Sequence, residues 1–462
     1  MHNASPASAR PRRHPRRDLD REILRLALPA FGALVAEPLF VMADSAIVGH
    51  LGTPQLAGLG VAAGLLNTAV GVFVFLAYAT TAAVARQVGA RDLAAAFRQG
   101  VDGIWLALLL GALVGLTALL TAPALVGAFG TSPAATAHGV TYLRISALGI
   151  PAMFVVLAAT GVLRGLQDTR TPLVVAVAGF SANLVLNLAL VYGAGLGIAG
   201  SAWGTVLAQW GMAAVYLTVV VRGVRRHLTA SEPAPDAWWK ALRPTATGLR
   251  SSARAGVPLL VRTLSLRAVL MVATAVAARL GDAEVAGHQI ALTLWSLLAF
   301  ALDAIAIAGQ ALIGRALGAG DEAGARAACR RMVQWGVALG AVLGLLVAAA
   351  RPLFLPLFTA DPQVRHVLLP TLLVVAVTQP IAGVVYVLDG VLMGAGDGPF
   401  LAWAMLPVLV LFVPTALLVP VTGGGLTALW LAIAGLTMVV RLVFLWLRAR
   451  SGRWIVTGAV RG

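Results

Sequence analysis

The chain alternates long apolar runs with short polar breaks. The runs fall near Leu24–Val48, Ala57–Val84, Val101–Phe129, Gly139–Leu163, Pro172–Tyr192 and Gly197–Val221. After a polar stretch they resume near Gly256–Ala278, Val285–Ile313, Met332–Ala350, Val367–Leu392, Phe400–Val419 and Leu426–Trp446. About 20 apolar residues suffice to cross a bilayer as a helix. The runs are continuous and do not alternate in polarity, which predicts helices and argues against a β-barrel. Twelve membrane-spanning helices are expected, and the longest interruption, Arg222 to Arg254, divides them six and six. The first run is too long for a signal-peptide core and no small-residue cleavage site precedes the next polar turn, so the first span is expected to remain uncleaved.

The two groups of six are copies. Leu51-Gly52 and Ala57-Gly58 recur as Leu280-Gly281 and Ala286-Gly287. Arg86-x-x-Gly89-Ala90-x-Asp92 recurs as Arg315-x-x-Gly318-Ala319-x-Asp321. Gly161-Val162-Leu163-x-Gly165-x-x-Asp168 recurs as Gly390-Val391-Leu392-x-Gly394-x-x-Asp397. All three pairs share one offset, 229 residues. Six is an even number of crossings, so both copies enter the membrane from the same face and form parallel repeats. The expected fold is an all-α integral membrane protein with two six-helix bundles around a central cavity. Its parts are an N-terminal tail (1–22), a first lobe (23–221), an inter-lobe linker (222–254), a second lobe (255–447) and a C-terminal tail (448–462).

Composition narrows the function. Of 462 residues 60% are hydrophobic and 11% charged, against about 25% charged in soluble domains. The spans leave little chain for a soluble domain, which excludes single-span receptors and anchored enzymes with large catalytic domains. The formal charge of +16 would suggest nucleic acid in a soluble protein, but the positions of the bases argue otherwise. Of the 34 Lys and Arg residues, 28 lie in the N-terminal region, the even-numbered connections, the linker and the segment from Arg441 onward. By the positive-inside rule both termini and the linker are expected to be cytoplasmic. The bases then report topology and an attraction to anionic lipid, and no nucleic-acid partner is expected. Cys329 is the single cysteine, and no Cys/His cluster has zinc spacing. No phosphate-binding glycine loop or nucleophile constellation is present. Neither enzymatic activity nor a resident metal or cofactor is expected.

Acids inside spans are the candidate chemistry. An Asp at the centre of a membrane helix costs about 2.5–3.5 kcal/mol on insertion scales, so such groups face protein interiors or wet cavities. The first span carries Glu37 and Asp44, and a separation of seven residues brings both to one helix face. Asp303 and Gln310 repeat that spacing in span 8, Asp389 lies late in span 10, and Asn183 and Asn187 sit one turn apart in span 5. A carboxyl group in apolar surroundings is suited to taking up and releasing a proton. The structural alternative is pairing with arginines, for which Arg262 and Arg267 in span 7 are available. For Asp389 it is bracing of the nearby turn, and for the Asn pair it is plain helix packing. Pro29 and Pro38 interrupt the hydrogen bonding of the helix that carries Glu37 and Asp44, so a bend there would couple protonation to cavity shape.

The segment Glu37-Pro38-Leu39-Phe40-Val41-Met42-Ala43-Asp44-Ser45-Ala46-Ile47-Val48-Gly49-His50-Leu51-Gly52 resembles the multidrug and toxic compound extrusion (MATE) family. So do the turn Gly161-Val162-Leu163-Arg164-Gly165-Leu166-Gln167-Asp168-Thr169-Arg170-Thr171-Pro172 and the stretch Gly195-Leu196-Gly197-Ile198-Ala199-Gly200-Ser201-Ala202-Trp203-Gly204-Thr205. Ala301-Leu302-Asp303-Ala304 and Leu388-Asp389-Gly390-Val391-Leu392-Met393-Gly394-Ala395 are similar to the DinF branch. The resemblance, which runs from about Arg21 to Arg450, implies an inner-membrane antiporter that expels organic, often cationic, compounds in exchange for protons or sodium. It implies cation coupling at Asp44, with Asn183 and Thr205 as polar partners, and a bending role for Pro29. Asn187 stands where some relatives carry a second acid, which leaves Glu37 to supply a second carboxylate. The acid pattern of the sodium-coupled branch in helices seven and ten is not evident, so protons are the expected coupling ion. A sodium-coupled antiporter and a lipid-linked precursor flippase remain the alternatives. Membrane lipids and small organic substrates are the expected partners, and the chain is expected to act as a monomer.

Overall fold

The computed structural model describes residues 15–228 and 237–459; the expected N-terminal tail therefore lies outside the described residues up to 14, the linker over 229–236, and the C-terminal tail over 460–462. Every regular element among the described residues is helical. The first lobe comprises α1 (Pro15–Gly49), α2 (Thr53–Phe73), α3 (Phe75–Gly89), α4 (Leu93–Gly127), α5 (Pro133–Ala147), α6 (Ile150–Gly165), α7 (Arg170–Leu188) and α8 (Gly197–Leu228). A short α9 (Ala237–Ala241) follows in the linker. The second lobe comprises α10 (Ala246–Leu280), α11 (Asp282–Gly318), α12 (Glu322–Phe358), α13 (Pro362–Gly394), α14 (Gly398–Thr422), α15 (Gly425–Trp430) and α16 (Thr437–Ser451). Among the described residues eleven helical stretches are long and apolar enough to cross a membrane, and α5 with α6, bent by 50° at their junction, makes a twelfth.

The 229-residue offset governs the architecture down to single turns. α2 and α3 together occupy the positions of α11, and α5 with α6 those of α13. Asp92 caps α4 by accepting from the Ala95 N–H, and its counterpart Asp321 caps α12 through Gly324. Ser132 and Asp361 likewise cap α5 and α13; such caps satisfy backbone donors that the first helical turn leaves open. The left-handed positions recur too, with Arg91 against Gly320 and Gln167 against Gly396. The copies differ where the first lobe breaks a helix and the second does not: the α2–α3 junction at Val74 corresponds to Asp303 within the unbroken α11.

Within each lobe, small residues let helices approach closely, the usual means of association where lipid removes a hydrophobic drive between helices. Gly336, Gly340 and Gly344 form one stripe on α12. A Cβ at these positions would lie 2.6, 2.4 and 2.3 Å from carbonyl oxygens of Gly383, Gln379 and Ala376 on α13. The equivalent stripe on α4 is Ala107, Gly111 and Gly115; Gly111 abuts Pro151 and Gly115 the Ala147 carbonyl.

The lobes meet at the end where the basic loops cluster, called the basic end below. Gly89 of α3 lies on the Arg315 carbonyl and Gly318 of α11 on the Arg86 carbonyl, a reciprocal crossing in which a Cβ at either glycine would come within 2.0 Å of the opposing oxygen. Arg315 donates to Gln167 Oε1 at 2.8 Å and pairs with Glu22 at 2.5 Å. Its counterpart Arg86 donates to the carbonyls of Ala395, Val456 and Gly458. Asp20 of α1 accepts from both Arg331 and Trp335 of α12. The linker is held as well: Thr245 N–H donates to Asp102, and Trp105 Nε1 donates to the Leu242 carbonyl.

Candidate functional site

α1 runs unbroken through Pro29 and Pro38, and the face carrying Glu37 and Asp44 borders a cavity of roughly 150 Å³. Phe40 and Phe180, stacked at 4.5 Å between centroids, wall one part of it. Leu59, Ala63, Leu66, Asn67 and Val70 of α2 line another, with Tyr142, Met153 and Met212 also contributing. All of the lining side chains precede residue 222, so this cavity lies within the first lobe and not midway between the two. Glu37 and Asp44, expected on one helix face, both line it.

Asp44 is the best-connected group of the site. Its Oδ1 accepts from Asn187 Nδ2 and from Ser201 Oγ, each at 2.7 Å, and its Oδ2 accepts from the Tyr142 hydroxyl at 3.4 Å. The amide continues the chain: Asn187 Nδ2 also donates to Asn183 Oδ1 at 3.0 Å, and Asn183 Nδ2 donates to Thr205 Oγ1 at 3.0 Å. One-turn spacing explains the pattern. Asn183 and Asn187 on α7 face Ser201 and Thr205 on α8, two polar pairs on opposed helix surfaces. Asn187 is fully buried, with its Oδ1 unpartnered against Gly204, where a Cβ would lie 2.0 Å away. Neither Asp44 nor Glu37 has a basic side chain within ion-pair distance among the described residues. Glu37 makes no hydrogen bond there and opens onto the cavity. An acid without a counter-cation in an apolar membrane cavity can exist neutral or charged according to what else occupies the space.

Sequence reasoning did not find Ser201 or Tyr142. Ser201 had a signal, since it stands one turn before Thr205 on the same helix. Tyr142 had none, because its position opposite Asp44 depends on how α5 packs against α1 and α8.

The second-lobe candidates do not form one site. Asp389 accepts from Arg262 at 2.6 Å and pairs also with Arg441; all three lie inside the lobe, and Asp389 and Arg441 are buried. This is the arginine pairing named as the structural alternative for intramembrane acids in general, with Arg262 as one partner, in place of the bracing of the turn expected for Asp389. Asp303 makes no hydrogen bond among the described residues and stands close enough to Arg262, Arg164 and Arg441 to feel their charge. Gln310 is separate: its amide donates weakly to Met393 Sδ at 3.6 Å, and its Oε1 is buried without a partner. The Asp168 carboxylate caps α7 through the N–H groups of Arg170 and Thr171 and the Thr171 hydroxyl.

Comparison with known proteins agrees with this architecture. The MatE family model matches residues 29–189 and again 258–418, two segments offset by the same 229 residues. The chain is 32% identical to Protein DETOXIFICATION 44, chloroplastic, of Arabidopsis thaliana, over 94% of this chain and 83% of that protein. It is 30% identical to DNA damage-inducible protein F of Escherichia coli (strain K12), over 94% of each. Among solved structures, a MOP superfamily transporter from Pyrococcus furiosus superposes with a TM-score of 0.83 at 23% identity, covering 94% of this chain and 96% of the other. A multidrug resistance MATE family transporter in an outward-facing conformation superposes with a TM-score of 0.81, with the same coverage. The chain belongs to the MatE family, and it is a multi-pass membrane transporter of the multidrug and toxic compound extrusion type.

Proposed function

We propose that this transporter is a proton-coupled antiporter that exports organic compounds from the cytoplasm across a bacterial inner membrane by alternating access. Asp44 is its coupling carboxylate and Glu37 a second acid in the same cavity. The observation that carries this reading is the environment of Asp44, a carboxylate in a membrane cavity held by three neutral donors and no cation. Neutral donors hold the carboxylate in place without fixing its charge, so protonation and a cationic substrate can compete for it. A ligand shifts a two-state transporter only by its differential affinity for the two states, and competition at one carboxylate supplies that difference. Asn183, Asn187 and Thr205 relay the charge state of Asp44 into the α7–α8 packing.

The contacts that close the basic end support reading this as a state accessible from the opposite face. With the basic end on the cytoplasmic side, as the positive-inside rule implies, this state faces outward, releasing substrate as protons arrive. Both termini are then cytoplasmic.

The test is efflux of a fluorescent organic cation from proteoliposomes under an imposed pH gradient or, separately, a sodium gradient. Wild type should respond to the pH gradient, and Asp44→Asn should abolish that response while the protein still inserts and runs as a single species. A response to sodium alone would assign the coupling ion otherwise, and indifference to both gradients would overturn the antiporter reading.

A further inference from the structure

Four bases mark the entry from the linker into α10: Lys240, Arg243, Arg250 and Arg254. All four are exposed, and none makes a side-chain hydrogen bond or ion pair among the described residues. α10 itself has no acidic residue from Ala246 to Leu280. The bases are displayed at fixed positions, because Thr245 N–H on Asp102 and Trp105 Nε1 on the Leu242 carbonyl hold the linker against α4. Beside them the Arg225 guanidinium lies over the Trp238 ring at 5.1 Å from its centroid, and Trp238 meets Trp239 edge-on at 5.6 Å. Trp239 is 55% exposed. Tryptophan gathers at the membrane–water interface, where an apolar ring and a polar N–H can both be satisfied.

Arg250, Arg254, Val257, Val261 and Leu264 recur every three or four residues and so form one stripe along α10. Its apolar members are 56%, 42% and 46% exposed, so neither lobe covers the stripe, and the guanidinium groups stand at its basic end. A dissolved anion would use only the charged part of this surface. A phospholipid uses all of it, with acyl chains along the valines and Leu264 and a phosphate at the arginines, whose paired N–H donors suit phosphate oxygens. The repeat supplies a contrast. At the 229-residue offset Arg250 and Arg254 correspond to Arg21 and Arg25 of α1. There Asp18, Asp20 and Glu22 are interleaved with the bases, whereas α10 has Thr247, Leu249 and Ser251. The same arginine spacing is thus set among carboxylates in the first lobe and left uncompensated in the second.

We propose that the joint between the linker and α10 is a binding site for an anionic phospholipid, with its headgroup phosphate held by Arg243, Arg250 and Arg254 and its glycerol region against Trp239. Binding is read by native mass spectrometry of the purified full-length protein in detergent, with phosphatidylglycerol and phosphatidylcholine of the same acyl chains in equal amounts. Wild type should retain phosphatidylglycerol at least ~10-fold more tightly than phosphatidylcholine. Combined Arg243→Gln, Arg250→Gln and Arg254→Gln should remove most of that preference. Arg21→Gln with Arg25→Gln, the equivalent change in the first lobe, should leave it in place. Should the triple variant fail to run as a monodisperse species, Arg254→Gln alone should lose part of the preference. In wild type the preference should shrink as ionic strength rises, since the charges involved are exposed. Equal retention of the two lipids by wild type would overturn the proposal. So would an equal loss in the first-lobe and linker variants, which would reduce the effect to the general basicity of this end. Displacement of phosphatidylglycerol by inorganic phosphate at matched concentration would overturn it as well, by showing a site for the free anion.

Discussion

Two carboxylates, Asp44 and Asp389, show how neighbours decide what a membrane acid can do. Asp44 accepts from an amide and two hydroxyl groups, whereas Asp389 lies between two guanidinium groups. Both were legible as intramembrane acids, but composition could not tell a cavity from a packed ion pair, because the partners come from helices far away in the chain. Removing one member of a buried ion pair leaves the rest uncompensated and typically costs about 3–5 kcal/mol. Asp389→Asn should therefore lower the thermal unfolding midpoint in detergent markedly, and Asp389→Asn combined with Arg441→Gln should recover part of the loss. Asn187→Leu should behave in the opposite sense. Interhelical hydrogen bonds in membranes average about 0.6 kcal/mol, so its unfolding midpoint should move little. Gradient-driven efflux should nonetheless fall at least ~10-fold, because Asp44 loses a 2.7 Å donor and the link to Thr205 is cut. A large stability loss with normal residual transport per folded molecule would show the amide to be mere packing.

At the scale of helices, hydropathy placed the spans and the repeat placed their ends. What it left unread was the difference between the copies: a break at Val74, a 50° bend between α5 and α6, and π-helical turns at Ala189–Gly193 and Leu431–Leu436 that fall at non-equivalent places. Those departures depend on tertiary packing, and one of them, the α5–α6 bend, lies beside the first-lobe cavity, which Ser146 and Ile150 on its two sides help to line. The glycine stripes are the reverse case, visible in the sequence as Gly336, Gly340 and Gly344 but silent about their partner until α13 is set against them. Gly340 meets the Gln379 carbonyl so closely that no side chain fits without separating α12 from α13. Overpacking typically costs about 1–3 kcal/mol. Gly340→Leu should exceed the upper end of that range, since rigid backbone and not a side chain stands in the way. A folded yield like that of wild type, with an unchanged unfolding midpoint, would contradict the close approach.

For the whole molecule, the duplicated Arg-x-x-Gly turns were readable as a repeat, while their meeting was not, because a linear sequence does not show that two equivalent turns cross at one axis. Their crossing makes the basic end a symmetric closure with an asymmetric lock: Arg315 is held by Glu22 of the leading helix, and Arg86 by carbonyls of the segment after α16. That segment is itself tied to the second lobe, with Gly458 N–H donating to the Leu317 carbonyl and Trp454 buried beside α16. Three hydrogen bonds from a charged donor, each worth up to about 1.5–3 kcal/mol, bias the pair of lobes toward this closed arrangement, and an alternating-access cycle has to break them. Arg86→Gln removes all three bonds, and truncation after Ser451 removes the two to Val456 and Gly458 from the opposite side. Each should raise hydrogen–deuterium exchange at least ~10-fold in the backbone around residues 86–92 and 315–321, while the α12–α13 seam keeps its protection. Because both act on one lock, combining them should add little to either alone. Additive effects, or exchange that rises equally across the second lobe, would mean that the C-terminal segment stabilises the lobe as a whole and takes no part in holding the basic end shut.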